Sequence, residues 1–577
     1  MTPYATMGKH LGAAAAECLR RVLVLTVGVQ HKRFINATAR PREIQHGRLR
    51  RILRRNVATE YGRKYGFSGI REIKEFQKRV PIADYESLRP YITRMINGED
   101  NVLTSQKPYQ YLITSGTSSE PKLVPVTSSF RKEYAPKLQF YYLYREHPEV
   151  FRPGAVLSMV SPVIEGWTPS GVPFGSASGL TYITQNALIR KIFAIPYDVY
   201  TIKNAADRYY TLLRLALEQD LRLFIMANPS TIVLLASQLN EHASELIDDV
   251  ARGTLAAKRS LELDLHSRLS RPLRPNPRRA DSLTQILETS GGSLPPCRVW
   301  PNLQAVVCWR DASAALYLPE LAKTFDNVAA YNLGYAASEG LGTFRLAEFG
   351  VEALAITGHF FEFCEEADID AHRPGAAHEL LLCDELELGK RYHIFLTTSG
   401  GLYRYHIDDI LEVRGFVKKT PVLQFIQKGT NTFSFTGEKL TETQVIDAVR
   451  SSAGFGVFDI AYFCAVPVFD KPPYYQLYLE TRDERPDGVK IEELARTLDR
   501  TLCDLNVEYA AKRASRRLDP IRIAFLRCGF FAEYSHAAHI AKRAAQIKFK
   551  HLNPDALFHQ ILSNGSADEF RATRSHP

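Results

Sequence analysis

The sequence of 577 residues has no CxxC pair, although it holds eight cysteines: Cys18, Cys297, Cys308, Cys364, Cys383, Cys464, Cys503 and Cys528. Scattered thiols of this kind exclude a disulfide scaffold and argue against structural zinc. They fit a reducing, cytoplasmic compartment. The chain also lacks any uninterrupted run of about 18 apolar residues, the length a membrane-spanning helix requires, so no stable membrane insertion is expected. The most apolar N-terminal stretch, Leu11 to Val29, is interrupted by Glu17, Arg20 and Arg21 and reads as a buried or amphipathic helix. A signal peptide fits it less well, because the small residues precede the apolar ones. Internal repeats and long low-complexity tracts are absent. Hydrophobic residues at 45% and charged residues at 24% are ordinary globular fractions, which excludes a disordered chain, a collagen-like fibre and a coiled coil. Charge of one sign is scarce too: 73 Lys and Arg against 63 Asp and Glu leave +10. That balance favours small anionic partners such as nucleotides, and no nucleic-acid partner is expected.

What is present suggests several domain-sized units. Arg42 to Glu60 reads as a basic helix stopping near Tyr61-Gly62, with Ile44, Leu49, Ile52, Leu53 and Val57 on one face. Tyr109 to Val126 has the character of strand, loop, strand. Thr201 to Leu239 looks helical, broken at Asn228-Pro229, and the basic, proline-spotted stretch Arg252 to Arg279 reads as an exposed insertion or loop. Strands are expected at Leu303–Cys308, Val328–Asn332, His378–Cys383 and His393–Thr398, with a helix at Ser313–Lys323. This alternation predicts α/β layers followed, beyond a boundary near Lys428, by an α+β part. The polar tail from Ser563 onward is expected to fray.

Four segments could carry chemistry. In Tyr111 to Pro125 an apolar strand runs into Ser115-Gly116-Thr117-Ser118-Ser119-Glu120-Pro121-Lys122. Small and hydroxyl residues with a lysine suit a phosphate cradle, though Pro121 before Lys122 excludes a Walker A loop, and a plain Ser/Thr-rich hairpin loop would look the same. Tyr335-Ala336-Ala337-Ser338-Glu339-Gly340 follows a strand with an aromatic, a hydroxyl and a carboxylate, suited to a base, a phosphate and Mg²⁺. It also reads as a degenerate nucleophile elbow or as a structural turn. Thr397 to Ile410 flanks a glycine turn with two strands, the second ending in the pair Asp408-Asp409, which could accept ribose hydroxyls or simply face solvent. Gln546-Ile547-Lys548-Phe549-Lys550 alone is an ordinary basic strand. His536 and His539 could share a helix face, but without a further ligand nearby no metal site is expected there.

In this order, the four segments resemble those of the auxin-responsive Gretchen Hagen family of acyl acid amido synthetases, members of the acyl-adenylate-forming, firefly-luciferase-like superfamily. The narrower likeness is carried by Pro81-Ile82-Ala83-Asp84-Tyr85, Phe360-Phe361-Glu362-Phe363, Gly401-Leu402-Tyr403-Arg404-Tyr405, Gly437 to Glu442, Leu505-Asn506 with Tyr509 and Arg513, and Gln546-Ile547-Lys548. The resemblance implies a large N-terminal α/β domain, residues 1–427, that binds acyl substrate and ATP. It also implies a smaller mobile α+β C-terminal lid, residues 428–577. It implies that Ser115, Thr117, Ser118 and Lys122 line the phosphate loop, that Tyr335 stacks on adenine and that Ser338 bonds the α-phosphate. Glu339 would hold Mg²⁺, Asp409 would take the ribose hydroxyls, and Lys548 would be the adenylation lysine. Two positions depart from the family pattern: Ser119-Glu120 where glycine is frequent, and Asp408 in place of the usual glycine before the ribose aspartate.

The activity implied is ATP-dependent. A carboxylic acid is adenylated with release of pyrophosphate, and the acyl group passes to an amine, expected to be an amino acid, giving an amide and AMP. Positioning and charge neutralisation would do most of the work in the first step. An acyl-CoA ligase with a thiol acceptor is the alternative; a serine hydrolase using Ser338 and a nucleotide sensor without turnover are the further rivals. The partners expected are the two small substrates, and the chain is expected to act as a monomer.

Overall fold

The computed structural model describes residues 3–114, 122–134, 136–255, 261–325, 328–372, 374–429, 432–433, 438, 440–452, 459–468, 470, 472–482, 488–514, 518–534, 550–564 and 566–570. The chain divides into two compact units, residues 1–425 and 426–577.

In the first unit, a helix over Pro3–Ala37 buries Val27, His31 and Phe34 and leaves Val22, Leu25 and Val29 exposed, as an amphipathic helix does. The basic helix forms over Pro41–Arg55 and buries Leu49, Ile52 and Leu53, the expected apolar stripe. It stops five residues short of the sequence reading. Asn56 bends its side chain back to the Ile52 carbonyl (3.0 Å), and the Thr59 hydroxyl caps a new helix, Glu60–Lys64, by accepting from the Gly62 amide.

Three larger sheets follow. One is fully parallel, in the order Val156–Ser158, Leu223–Ile225, Ala305–Cys308, Ala329–Asn332. Its apolar strands are covered by crossover helices such as Ala205–Ala216, Pro229–Glu241 and Leu318–Thr324, the arrangement that parallel pairing demands. A second pairs Gln110–Thr114 with Lys122–Val126 antiparallel and with Pro173–Gly175 parallel. The third has six strands in the order Thr343–Leu346, Val351–Leu354, Thr420–Lys428, Tyr405–Val417, Arg391–Thr397, Phe360–Glu365.

Several expectations need correction. The stretch Arg252 to Arg279 is not a bare loop, since Leu263–Ser270 is helical and Pro277 opens another helix, Pro277–Thr289. Asn276 caps the latter and Pro277 stands in its first turn, where its missing N–H costs nothing. Arg279 reaches the carbonyls of Leu217 and Val299, each at 2.8 Å. Within Thr201 to Leu239 a three-residue strand, Leu223–Ile225, separates the helices. His378–Cys383 is reduced to a single bridge between Leu381 and Phe363.

The second unit is α+β. Its sheet runs Ile460–Val468, Tyr474–Thr481, Arg522–Leu526, Ser566–Phe570, with helices Glu442–Ser452, Gly488–Leu505, Val507–Ala514 and Ala556–Asn564. The last strand corrects part of the expected fraying: Ser566–Phe570 pairs antiparallel with Arg522–Leu526, and residues 571–577 lie outside the described residues. Among the described residues, no helix is long and apolar enough to cross a membrane.

Candidate nucleotide site

Beyond Asn332, the end of the parallel sheet, the chain turns at Gly334, whose φ of +79° suits glycine. A short hairpin follows, Ala336–Ala337 against Gly340–Leu341 with Ala337 opposite Gly340. Ser338 and Glu339 form its two-residue turn. This geometry removes the nucleophile-elbow reading, which needs a sharp strand-to-helix turn; Ser338 leads into a strand. The Tyr134 hydroxyl donates to the Ala337 carbonyl (3.2 Å) and so ties the hairpin to the helix Ser128–Glu133.

Tyr335 is buried and held from several sides. Its amide donates to Thr343 Oγ1 (2.8 Å), and its carbonyl accepts from the Gly342 and Thr343 amides. The ring lies parallel to Phe425, offset, with centroids 6.0 Å apart and 7° between planes. Gly342 passes so close that a Cβ there would come within 2.1 Å of the ring. The Tyr335 hydroxyl donates to Asp409 Oδ2 at 2.7 Å. Burial, then the Asp409 charge, raises the phenol well above its ordinary range, so it stays a donor.

The structure therefore brings together two residues 74 positions apart in sequence, both singled out for the nucleotide. It also corrects their local setting. Asp408 and Asp409 do not end a strand; they lie inside Tyr405–Val417, at a bulge. Phe395 pairs with His406 and His393 with Ile410, so one residue of the neighbouring strand faces three of this one. Asp408 takes the left-handed conformation there, with φ +62°. Glycine is the ordinary occupant of such a position and aspartate is one of the few alternatives, a physical account of the departure from the family pattern noted above. Bulges of this kind re-aim side chains, and this one accompanies the turn of Asp409 toward Tyr335.

Other groups gather around the pair. The buried Glu339 carboxylate acts electrostatically on the phenols of Tyr85, Tyr134, Tyr335 and Tyr405. Burial is the main cause of the upward shift at each, and it pushes Tyr134 to about 12. A buried carboxylate is one hard-oxygen ligand of the kind Mg²⁺ takes beside phosphate oxygens, so Glu339 fits that ion. Lys122 opens its strand opposite Thr114, and its ammonium lies 5.7 Å from the centre of the Tyr85 ring. The Tyr85 hydroxyl accepts from the Leu123 amide (2.7 Å). Lys122, Tyr335, Glu339 and Asp409 thus share one neighbourhood, and Ser338 shares the Glu339 turn. Ser115, Thr117, Ser118 and Lys548, with His536 and His539, lie outside the described residues.

Sequence reasoning assigned no role to Tyr85, Tyr134 or Phe425. Tyr85 stood in a motif already quoted, and the phenol and ring contacts of the other two arise only through long-range packing. His393 and His406 also went unpaired in the sequence, because they sit 13 residues apart on two strands. Here His406 Nε2 lies 3.1 Å from His393 Nδ1, and burial pushes the His393 imidazole down to about 4.

Residues 30–330 match the GH3 family N-terminal domain, 352–428 the GH3 family central domain and 443–556 the GH3 family C-terminal domain. The chain belongs to the GH3 family. It is similar to indole-3-acetic acid-amido synthetase GH3.3 of Arabidopsis thaliana, with 26% identity over 536 residues, covering 88% of this chain and 89% of that protein. It is similar also to jasmonoyl–L-amino acid synthetase GH3.5 of Oryza sativa subsp. japonica, with 24% identity over 92% of this chain and 96% of that one. The fold is that of the GH3.15 acyl acid amido synthetase: the TM-score is 0.81 at 21% identity, over 94% of this chain and 96% of that one. The expected architecture, a large α/β part followed by a smaller α+β part, is the one this GH3 chain has.

Proposed function

We infer that this GH3 chain is an ATP-dependent ligase that adenylates a carboxylic acid and passes the acyl group to an amine, an amino acid by analogy with the jasmonoyl–L-amino acid synthetase it is similar to. The observation that carries the reading is the Tyr335–Asp409 hydrogen bond beside Glu339, in a chain of this family. It offers a fixed aromatic face, an acceptor for hydroxyls and a buried carboxylate within one neighbourhood.

In this reading the base lies against Tyr335 and the ribose hydroxyls donate to Asp409. A carboxylate has about four lone-pair sites, so the Tyr335 hydroxyl leaves acceptor capacity for the sugar. Ser338 donates to the α-phosphate, and Lys122 with Ser115, Thr117 and Ser118 faces the β- and γ-phosphates. Glu339 would hold Mg²⁺, which supplies charge neutralisation at the phosphates. The substrate carboxylate attacks the α-phosphorus, pyrophosphate leaves, and Lys548 stabilises charge on the α-phosphate oxygens. The amine then attacks the acyl carbonyl, a C–N bond forms and AMP leaves. We further propose that residues 428–577 act as the mobile lid that carries Lys548, that the enzyme works as a monomer, and that it is cytoplasmic, in keeping with eight free thiols.

The test is product identity. With a panel of small aromatic and jasmonate-like acids, the purified enzyme releases pyrophosphate and AMP; ADP as the nucleotide product overturns the adenylation reading. Amines tried against coenzyme A separate amide synthesis from the thiol alternative. A second measurement addresses the site. Asp409→Ala weakens ATP binding by about 1.5–3 kcal/mol, the range for hydrogen bonds to a charged group, and binds ATP and 2′-deoxy-ATP alike. Tyr335→Phe, which removes the same internal bond but keeps the carboxylate, still discriminates between them. Undiminished discrimination in Asp409→Ala refutes the ribose role and moves the question to Asp408.

A further inference from the structure

The bulge that turns Asp409 toward Tyr335 creates a second cluster of donors. His393 Nδ1 and His406 Nε2 are 3.1 Å apart. Asp408 Oδ1 lies 4.0 Å from the first and 3.9 Å from the second. All three are metal-ligating types, and among the described residues theirs is the one group of three or more such side chains whose ligand atoms converge. The circle through three atoms at those separations has a radius of about 2.1 Å, so one point in their midst is at coordination distance from all of them, where zinc is expected about 2.0–2.2 Å from imidazole nitrogen and carboxylate oxygen.

We propose that His393, His406 and Asp408 form a binding site for a divalent transition-metal ion of the zinc, cobalt or nickel kind. The donor set decides the class. Two imidazoles and one carboxylate suit these ions, whereas Mg²⁺ prefers oxygen alone. The rings are already oriented. His406 stacks on Phe395 with centroids 4.7 Å apart and 19° between planes, and His393 meets His406 edge-on at 5.1 Å. His393 is almost fully buried, while the Asp408 side chain keeps 27% of its exposure, so an ion can enter from the Asp408 side and keep water or another ligand there. Binding needs no net proton release from neutral rings. The proton shared between Nδ1 and Nε2 gives way when His393 carries its hydrogen on Nε2 and His406 carries its own on Nδ1. The site stands whether or not Asp409 holds a ribose, since Asp409 is not a ligand.

The experiment uses the full chain, stripped with chelator, dialysed and titrated with Co²⁺, whose visible absorption reports coordination. One Co²⁺ per chain is expected, with visible bands, without the near-ultraviolet band of a cobalt–thiolate bond, and displaced by Zn²⁺. His406→Gln and Asp408→Asn, both at partly exposed side chains, keep the wild-type circular dichroism and lose Co²⁺ affinity at least tenfold. The thermal midpoint of the wild type rises with Co²⁺ concentration, as ligand linkage requires, and that of the variants rises less. Absence of stoichiometric Co²⁺, wild-type affinity in both variants, or a thiolate band would each overturn the site.

Discussion

Arg404, in the first compact unit, and Arg513, in the second, each anchor a carboxylate, and each lies in a stretch by which the chain resembles its family. Their surroundings differ. Arg404 is fully buried; its guanidinium forks onto Glu362 at 3.0–3.2 Å and spends its other donors on the carbonyls of Gln77, Val80 and His378. Glu362 takes a further bond from Gln77. Arg513 grips Asp499 at 2.9–3.0 Å, reaches one carbonyl, Leu518, and keeps a fifth of its side-chain exposure. Asp499 also accepts from the Tyr509 hydroxyl and the Ile521 amide. The same pairing of arginine with carboxylate therefore carries two different energies in two places of one chain. Arg404 joins four separate segments, its own included, away from the solvent surface, where an unmatched donor is costly; Arg513 clamps one corner beside solvent.

The largest effect should come from breaking the first hub. Arg404→Ala leaves Glu362 as an uncompensated buried charge, and removing one partner of such a pair costs about 3–5 kcal/mol. Denaturant titration should show this loss, and Arg404→Lys should recover little, because an ammonium cannot reproduce the fork. Arg513→Ala should cost about 1.5–3 kcal/mol, the scale of hydrogen bonds to charged groups, with hydrogen-exchange protection lost in residues 426–577 and kept in 1–425. Equal losses for the two arginines would show that burial is not what separates them. The smallest effect belongs to Asp408, the left-handed residue four positions beyond Arg404. Asp408→Gly should stay within about 1 kcal/mol of the wild type, since glycine adopts that conformation without strain but gains entropy when unfolded. Asp408→Val should cost clearly more, by the same melt.

Much of this was legible in the chain. The two strands within Tyr109 to Val126 and the alternation after Leu303 followed from apolar runs and turn residues, and the grouping of Tyr335 with Asp409 from the family resemblance. What was hidden shares a cause, which is that long-range partners override local pattern. Leu223–Ile225 is too short to announce itself between two helices, and its pairing with Val156–Ser158 and Ala305–Cys308 makes it a strand. The helix Pro277–Thr289 was masked by arginines that read as solvent-facing, while Arg279 in fact bonds two distant carbonyls. Ser566–Phe570 is polar and becomes a strand because a sheet edge is available to it. The bulge at Asp408 left no periodic trace, so neither the aim of Asp409 nor the approach of His393 to His406 could be read from spacing.

Tyr335 is gripped from below by Gly342, on its face by Phe425, at its hydroxyl by Asp409 and at its amide by Thr343. If the base lies there as proposed, it would find a jaw that is already set. The rotamer entropy that an arriving ligand must ordinarily take from a mobile side chain, about 0.5–1.5 kcal/mol, was surrendered when the chain folded. In the proposed site the same fixity would select one nucleotide base, since the ring cannot swing to follow a group of another thickness or tilt, and variety among acids and amines would be met by residues away from Tyr335.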